Sequence, residues 1–380
     1  MSLTRPTHGG NLAWAAALAN CPPSLILDFS ASINPLGPPK SAIAAIESGL
    51  NNLVAYPDPN YSELRQCLTQ LHPTLPPDWI LPGNGSAELL TWACRELSEL
   101  DETLMITPAF RDYQRGLKAF GARIRECPLI KELSKPSLRW GDGEMGSEIN
   151  ALMPLLPDSL TSLLQKNGNR KGLLLNTPHN PTGQLFTSEA IEPYLKQFAL
   201  VVVDEAFMDF LPPEQEQSLI PLIGDYPNLV ILRSLTKFYS LPGLRLGYCI
   251  AHPERLQRWQ EWRDPWPINT LAAAAAAAVV QDRAFQQQTW DWLAPARTQL
   301  FQGLAKLPGL QPYPSAANFL LVHSEKSTSE LQAQLLQHHR ILIRDCLSFP
   351  ELGDRFFRVA VRTQPDNQRL LTALEAILIS

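Results

Sequence analysis

Lys237 stands in the stretch Ser234-Leu-Thr-Lys-Phe-Tyr-Ser-Leu-Pro-Gly-Leu-Arg-Leu-Gly247. Ser234 and Thr236 flank it, and Arg245 follows eight residues later across the turn Pro242-Gly243. A lysine amine that is held in place and partly neutral can form a Schiff base with a carbonyl carbon. An arginine with hydroxyl neighbours can grip a phosphate dianion through charge-assisted hydrogen bonds. A molecule that is both an aldehyde and a phosphate ester satisfies both groups, and pyridoxal 5'-phosphate is one. On this stretch alone a surface lysine beside a turn is an equally good reading, and the upstream residues decide.

Four upstream positions could complete such a site. Gly85-Ser86 sits where a short strand turns into a helix, so backbone amides and a serine hydroxyl can hold an anion; a simple helix cap is the plainer alternative. Phe110, after the strand Leu104–Thr107, can stack on a flat ring or be ordinary core. Asn180, in the rigid turn Asn176-Thr-Pro-His-Asn-Pro-Thr-Gly183, can donate to a phenolic oxygen. Asp204 ends the apolar run Val201-Val-Val and can keep a pyridine nitrogen protonated, which makes the ring an electron sink. Each signal is weak by itself. All of them, with Lys237, fall at carboxyl ends of expected strands, where open α/β sheets bind ligands.

The elements that must position these residues follow from apolar spacing. Strands are expected at 104–107, 172–176, 201–204 and 229–234, alternating with helices, which argues a mostly parallel α/β sheet. Helices are expected at 12–19, 41–50, 61–71, 252–262 and 268–306, and further strands at 318–322, 340–344 and 356–362. The polar segment 134–149 reads as an exposed excursion. Length suggests an arm over 1–40, a large domain over 41–262 and a small α+β domain over 263–380. Arg344 and Arg358, on the late strands, can face one anion site.

Composition narrows the class. With 32 basic and 37 acidic residues the net charge is −5, which gives no nucleic-acid footprint. The six cysteines are scattered without a C-x-x-C pair, as expected of reduced thiols in a cytoplasm and not of a disulfide frame or metal site. The first ten residues do not read as a secretion signal, and the alanine-rich run 271–280 is too short to span a bilayer.

In this order Asn180-Pro-Thr-Gly, Asp204-Glu-Ala-Phe, Ser234-Leu-Thr-Lys237 and Arg245-Leu-Gly resemble the fold-type I pyridoxal-phosphate enzymes of the aminotransferase class I/II superfamily. The resemblance covers most of the chain. It implies pyridoxal phosphate joined to Lys237, held by Gly85, Ser86, Phe110, Asn180, Asp204, Ser234 and Arg245. It also implies a homodimer with shared active sites, in which Tyr56, in Tyr-Pro-Asp, reaches the partner's cofactor phosphate. Within the superfamily the chain resembles the histidinol-phosphate aminotransferases and the L-threonine-O-3-phosphate decarboxylases of cobalamin synthesis. Thr7-His-Gly-Gly-Asn11 and Asp28-Phe-Ser-Ala-Ser-Ile-Asn34-Pro-Leu-Gly37 are similar to the decarboxylases' arm, and Ile341-Leu-Ile-Arg344 also favours them. Phe207 does too, because the aminotransferases usually carry tyrosine there. This implies decarboxylation of a small phosphorylated amino acid held by His8, Gly9, Asn34, Asn180, Arg344 and Arg358.

Overall fold

The structure is a computed structural model that describes residues 5–129, 156, 160 and 170–379. The expected excursion at 134–149 lies outside the described residues. Strands β1 (Leu27–Asp28), β2 (Ile80–Asn84), β3 (Glu102–Thr107), β4 (Ile124–Pro128), β5 (Lys171–Asn176), β6 (Leu200–Asp204), β7 (Leu229–Ser234) and β8 (Leu246–Ala251) come first. The last seven of these form one sheet in the order β2-β8-β7-β6-β5-β3-β4. β3 pairs in parallel with β4 and β5, β5 with β6, and β6 with β7. The residues of β3, β5, β6 and β7 are buried because helices cover both faces, which is why the sequence shows continuous apolar runs there and not alternation.

β8 runs against both of its neighbours, β7 and β2. Two reversals restore the direction of β2, so β2, β3, β5, β6 and β7 all end at one edge. The start of β8 lies at that same edge. Helices α1 (Leu12–Ala19), α2 (Lys40–Gly49), α3 (Ser62–Leu71), α4 (Ser86–Leu97) and α5 (Arg111–Ala119) agree with the apolar spacing within a residue or two where spacing gave bounds.

The single helix expected at 268–306 is two, Thr270–Val279 and Arg283–Ala305. Asp282 caps the second by accepting the Phe285 amide at 3.0 Å, and its non-helical backbone breaks the run. The alanine-rich first helix buries Ala272, Ala275 and Ala276 and packs on α2.

A second sheet is built from β9 (Leu310–Pro312), β10 (Phe319–Ser324), β12 (Arg344–Asp345) and β13 (Phe356–Ala360). The run 340–344 is not one strand: β11 (Ile341–Leu342) pairs with β1 of the arm, and β12 pairs with β13. The arm is thereby tied to the C-terminal part, with Phe29 donating to the Leu342 carbonyl and accepting from the Ala360 amide, both at 2.8 Å. No described helix is long and apolar enough to cross a membrane, and the described residues contain no cluster suited to a metal ion.

On β7 Arg233 is 1% exposed and binds Glu205 Oε2 through Nε at 2.9 Å, with Nη1 on Asp209. Glu205 also accepts the Ser218 hydroxyl at 2.8 Å and the Leu219 amide at 2.9 Å. This cluster ties the end of β6 to β7 on the face of the sheet opposite to Asp204. Removing the cation strands a buried carboxylate, so Arg233→Leu is expected to cost about 3–5 kcal/mol of stability, read from urea-unfolding midpoints.

Candidate active site

Lys237 lies on the short helix Leu235–Phe238 that follows β7 directly. Its Nζ is 3.3 Å from Ser234 Oγ and 4.9 Å from the centre of the Phe207 ring. Burial pushes the amine below its ordinary pKa; Asp204 opposes this, and Arg245 and Arg358 add to it. A larger share of neutral amine at neutral pH is what a nucleophile needs.

Beside Lys237 the sheet edge gathers groups that could cradle an anion. Gly85 caps α4 with φ +77°, and a Cβ there would lie 2.7 Å from Arg245 Nη2. The register sets Asn84 against Leu246 on one side of β8 and Ser234 against Gly247 on the other. Gly247 has to lack a side chain, since its Cβ would fall 2.4 Å from the Ser86 nitrogen and 2.8 Å from the Arg233 carbonyl oxygen. The Gly85-Ser86 turn, Ser234 and the Arg245 guanidinium converge because β8 inserts between β2 and β7. Ser234 Oγ and Thr236 Oγ1 are 2.8 Å apart.

Asp204 ends β6 and is buried. Its Oδ1 accepts the Ala206 amide at 3.0 Å and its Oδ2 accepts the Tyr113 hydroxyl at 2.7 Å. Phe110 begins the turn into α5, with its ring 5.6 Å from Tyr113 and 5.7 Å from His8. The sequence reading missed Tyr113. Its signal was its place in the first turn of the helix that follows Phe110 and the strand end.

A second group of cations gathers from the arm and the small sheet. Arg344 and Arg358 are direct cross-strand partners on β12 and β13, so their side chains leave the same face. Arg358 Nη1 donates to Asn180 Oδ1, and its guanidinium lies 4.6 Å from the centre of the Phe319 ring. Phe319 meets Phe207 edge-on at 5.0 Å. Burial first, and then Arg344, push Arg358 down to about 10. Arg344 is buried and donates to Ser348 Oγ at 2.7 Å and to the Thr7 carbonyl oxygen of the arm. His8 Nε2 is 3.7 Å from Asp112, and burial lowers its pKa. Gly9 packs on the Ser30 carbonyl.

One expected residue, Asn34, is placed differently. Asn34 is 1% exposed and its amide nitrogen donates to the Phe238 carbonyl at 2.8 Å and to Thr289 Oγ1 at 2.9 Å. Its backbone nitrogen donates to the Lys237 carbonyl at 3.0 Å, so in this structure Asn34 braces the lysine helix from behind. Tyr56 is 78% exposed and stacks on Trp266 at 4.4 Å, and no described contact joins it to the site of its own chain.

The family model for aminotransferase class I and II matches residues 25–377. The chain belongs to the aminotransferase class I and II family. The threonine-phosphate decarboxylase of Salmonella typhimurium is 39% identical over 383 residues, covering 100% of this chain and 98% of that protein. The crystal structure of the histidinol-phosphate aminotransferase from Clostridium acetobutylicum superposes with a TM-score of 0.81 at 28% identity, covering 93% of this chain and 99% of that one. The histidinol-phosphate aminotransferase of Sinorhizobium meliloti, solved in complex with pyridoxal-5'-phosphate, gives a TM-score of 0.81 at 22% identity, covering 100% and 98%. At that identity the likeness shows the fold.

The class I and II fold thus brings a lysine pushed toward its neutral form, a candidate anion cradle and a buried carboxylate to one sheet edge, with two facing arginines contributed by the small sheet. The cradle depends on Gly85 being able to hold its positive φ beside Arg245. Gly85→Ala is expected to weaken binding of inorganic phosphate about tenfold or more, through backbone strain of roughly 1–2 kcal/mol and displacement of the guanidinium. Isothermal titration of wild type and variant measures it.

Proposed function

We propose that this chain is a pyridoxal-phosphate-dependent decarboxylase that converts L-threonine O-3-phosphate to (R)-1-aminopropan-2-yl phosphate and carbon dioxide, in cobalamin synthesis. The observation that carries the substrate class is the cross-strand pair Arg344 and Arg358, facing one way beside Lys237 with the arm's His8 close by. Two cations on one face suit a small substrate with two anionic ends. The full-length 39% identity to a threonine-phosphate decarboxylase supports the same reading.

The pocket fits the cofactor. Gly85, Ser86, Ser234 and Arg245 suit its phosphate, and the close approach of Arg245 to Gly85 is room that any side chain would fill. Asp204 suits the ring nitrogen, Phe110 the ring face, and Asn180 the phenolic oxygen. Phe207 presents an aromatic ring to Lys237 and has no hydroxyl to offer that oxygen. When bound, the cofactor supplies an electron sink for the pair left on the substrate Cα as a bond to it breaks.

The chain's own residues choose the bond. Arg358, next to Asn180, suits the substrate carboxylate, and Arg344, against the arm, suits its phosphate. Loss of carbon dioxide removes the carboxylate's charge, so a tight grip there would stabilise the starting state. Binding energy is better placed on the remote phosphate, which sets the pose of the Cα–carboxylate bond. Lys237 Nζ then delivers a proton to Cα.

The active form in this reading is a cytoplasmic homodimer, with residues 1–40 as an arm over a large part (41–262) and a small part (263–380). Val54 at 95%, Leu53 at 58% and Leu50 at 51% exposure lie just before the exposed Tyr56–Trp266 stack. A second copy covering this apolar surface would bury it and carry Tyr56 to the partner's cofactor phosphate.

Cofactor-loaded protein is given L-threonine O-3-phosphate labelled at the carboxyl carbon and, separately, histidinol phosphate with 2-oxoglutarate. Sustained release of labelled carbon dioxide is expected. Glutamate from the second mixture without carbon dioxide from the first would overturn the decarboxylase in favour of a transaminase. Arg344→Ala is expected to raise the KM for the phosphorylated substrate about 10- to 100-fold, the size of one or two charged hydrogen bonds; steady-state kinetics read it.

A further inference from the structure

Tyr113 is the part of the site that the chemistry above leaves unused. It is 2% exposed, on α5, and its hydroxyl donates to Asp204 Oδ2 at 2.7 Å. The Phe110 ring meets it edge-on at 85°, and the helix fixes its Cα, so the phenol is held in place. Asp204 Oδ1 is already taken by the Ala206 amide. The carboxylate therefore receives two donors from the protein before any ligand arrives.

We infer that Tyr113 is a positioning residue that keeps a proton on the cofactor's ring nitrogen and off Asp204, an inference that rests on the pocket taking pyridoxal phosphate. A donor to a carboxylate stabilises its charged form and makes it a weaker base. Burial works the other way and raises the Asp204 pKa, while Lys237 and the Tyr113 hydrogen bond pull it down. Without the hydroxyl, a buried carboxylate with one amide donor competes better for the shared proton. The proton then moves from the ring nitrogen to Asp204, the ring loses its positive charge, and it becomes a poorer electron sink.

The location of this proton can be read without substrate. A positive ring lowers the proton affinity of the Lys237 nitrogen joined to the cofactor's aldehyde carbon, and the protonation of that nitrogen changes the visible absorbance. The other charged groups acting on Lys237 are Asp209, Arg245 and Arg358, and those acting on Tyr113 include Asp112 and the Cys94 thiol. Tyr113→Phe leaves all of them in place.

The experiment is a pH titration of the lysine-bound cofactor absorbance in loaded wild type, Tyr113→Phe, Asp204→Asn and the double variant. The expected midpoint in Tyr113→Phe is higher than wild type by about one unit, the size of one buried hydrogen bond. Adding Tyr113→Phe to Asp204→Asn is expected to produce no further rise, because the carboxylate through which it acts is gone. Turnover of Tyr113→Phe is expected to fall about tenfold at unchanged KM, as an effect confined to the ring's electron demand requires. A wild-type midpoint in loaded Tyr113→Phe, or an equal rise in both backgrounds, overturns the inference. Absence of lysine-bound absorbance in wild type sinks the cofactor reading and this inference together. Failure of carbon dioxide release alone sinks only the substrate reading, since the titration uses no substrate.

Discussion

The site depends on one reversed strand. β8 lies between β2 and β7 and runs against both, so its first residues arrive where theirs end. Arg245, just ahead of β8, takes a left-handed φ of +57° at this entry and lays its guanidinium over Gly85. Gly247 then passes so near the Ser86 nitrogen and the Arg233 carbonyl that no Cβ fits. A parallel strand in that position would begin at the far edge and leave the cradle without its cation.

Electrostatics at the edge follow from this geometry. Arg245, Arg358 and Arg344 bring positive charge, and Lys237 is pushed toward its neutral form by burial and by two of them. Asp204 is the carboxylate that moderates the effect, and it is itself held by Tyr113 and the Ala206 amide. On the opposite face of the sheet, Arg233 and its acidic partners keep β6 and β7 in register. The two faces differ: one pairs its charges with each other, and the other holds Asp204 and Ser234 beside Lys237.

The arm joins the two sheets to one pocket. β1 pairs with β11, Arg5 binds Asp345 at 2.6 Å, and the Thr7 carbonyl caps Arg344. His8 is carried between Phe110 on the large sheet's edge and Arg344 on the small sheet. Asn34 closes the circuit by holding the backbone of Lys237. A change in the arm is therefore felt at the lysine through backbone contacts as well as at Arg344.

The sequence by itself determined the residue types at strand ends, the order of the motifs and the family. These are local: an apolar run bounded by a turn shows where a strand stops, and Lys237, Asp204, Asn180 and Gly85 stand at such stops. It also suggested that Arg344 and Arg358 share an anion site. Only the tertiary structure decided that they are cross-strand partners, that β8 is reversed, that Tyr113 reaches Asp204, and that Asn34 spends its amide on the lysine helix. Each of those joins elements far apart in the chain. Local propensity fixes where a side chain sits on its own element, whereas the partner it meets is set by register and packing between elements. The break at Asp282 was missed for a smaller reason: helical apolar spacing continues through it, and the cap that interrupts it is one polar side chain.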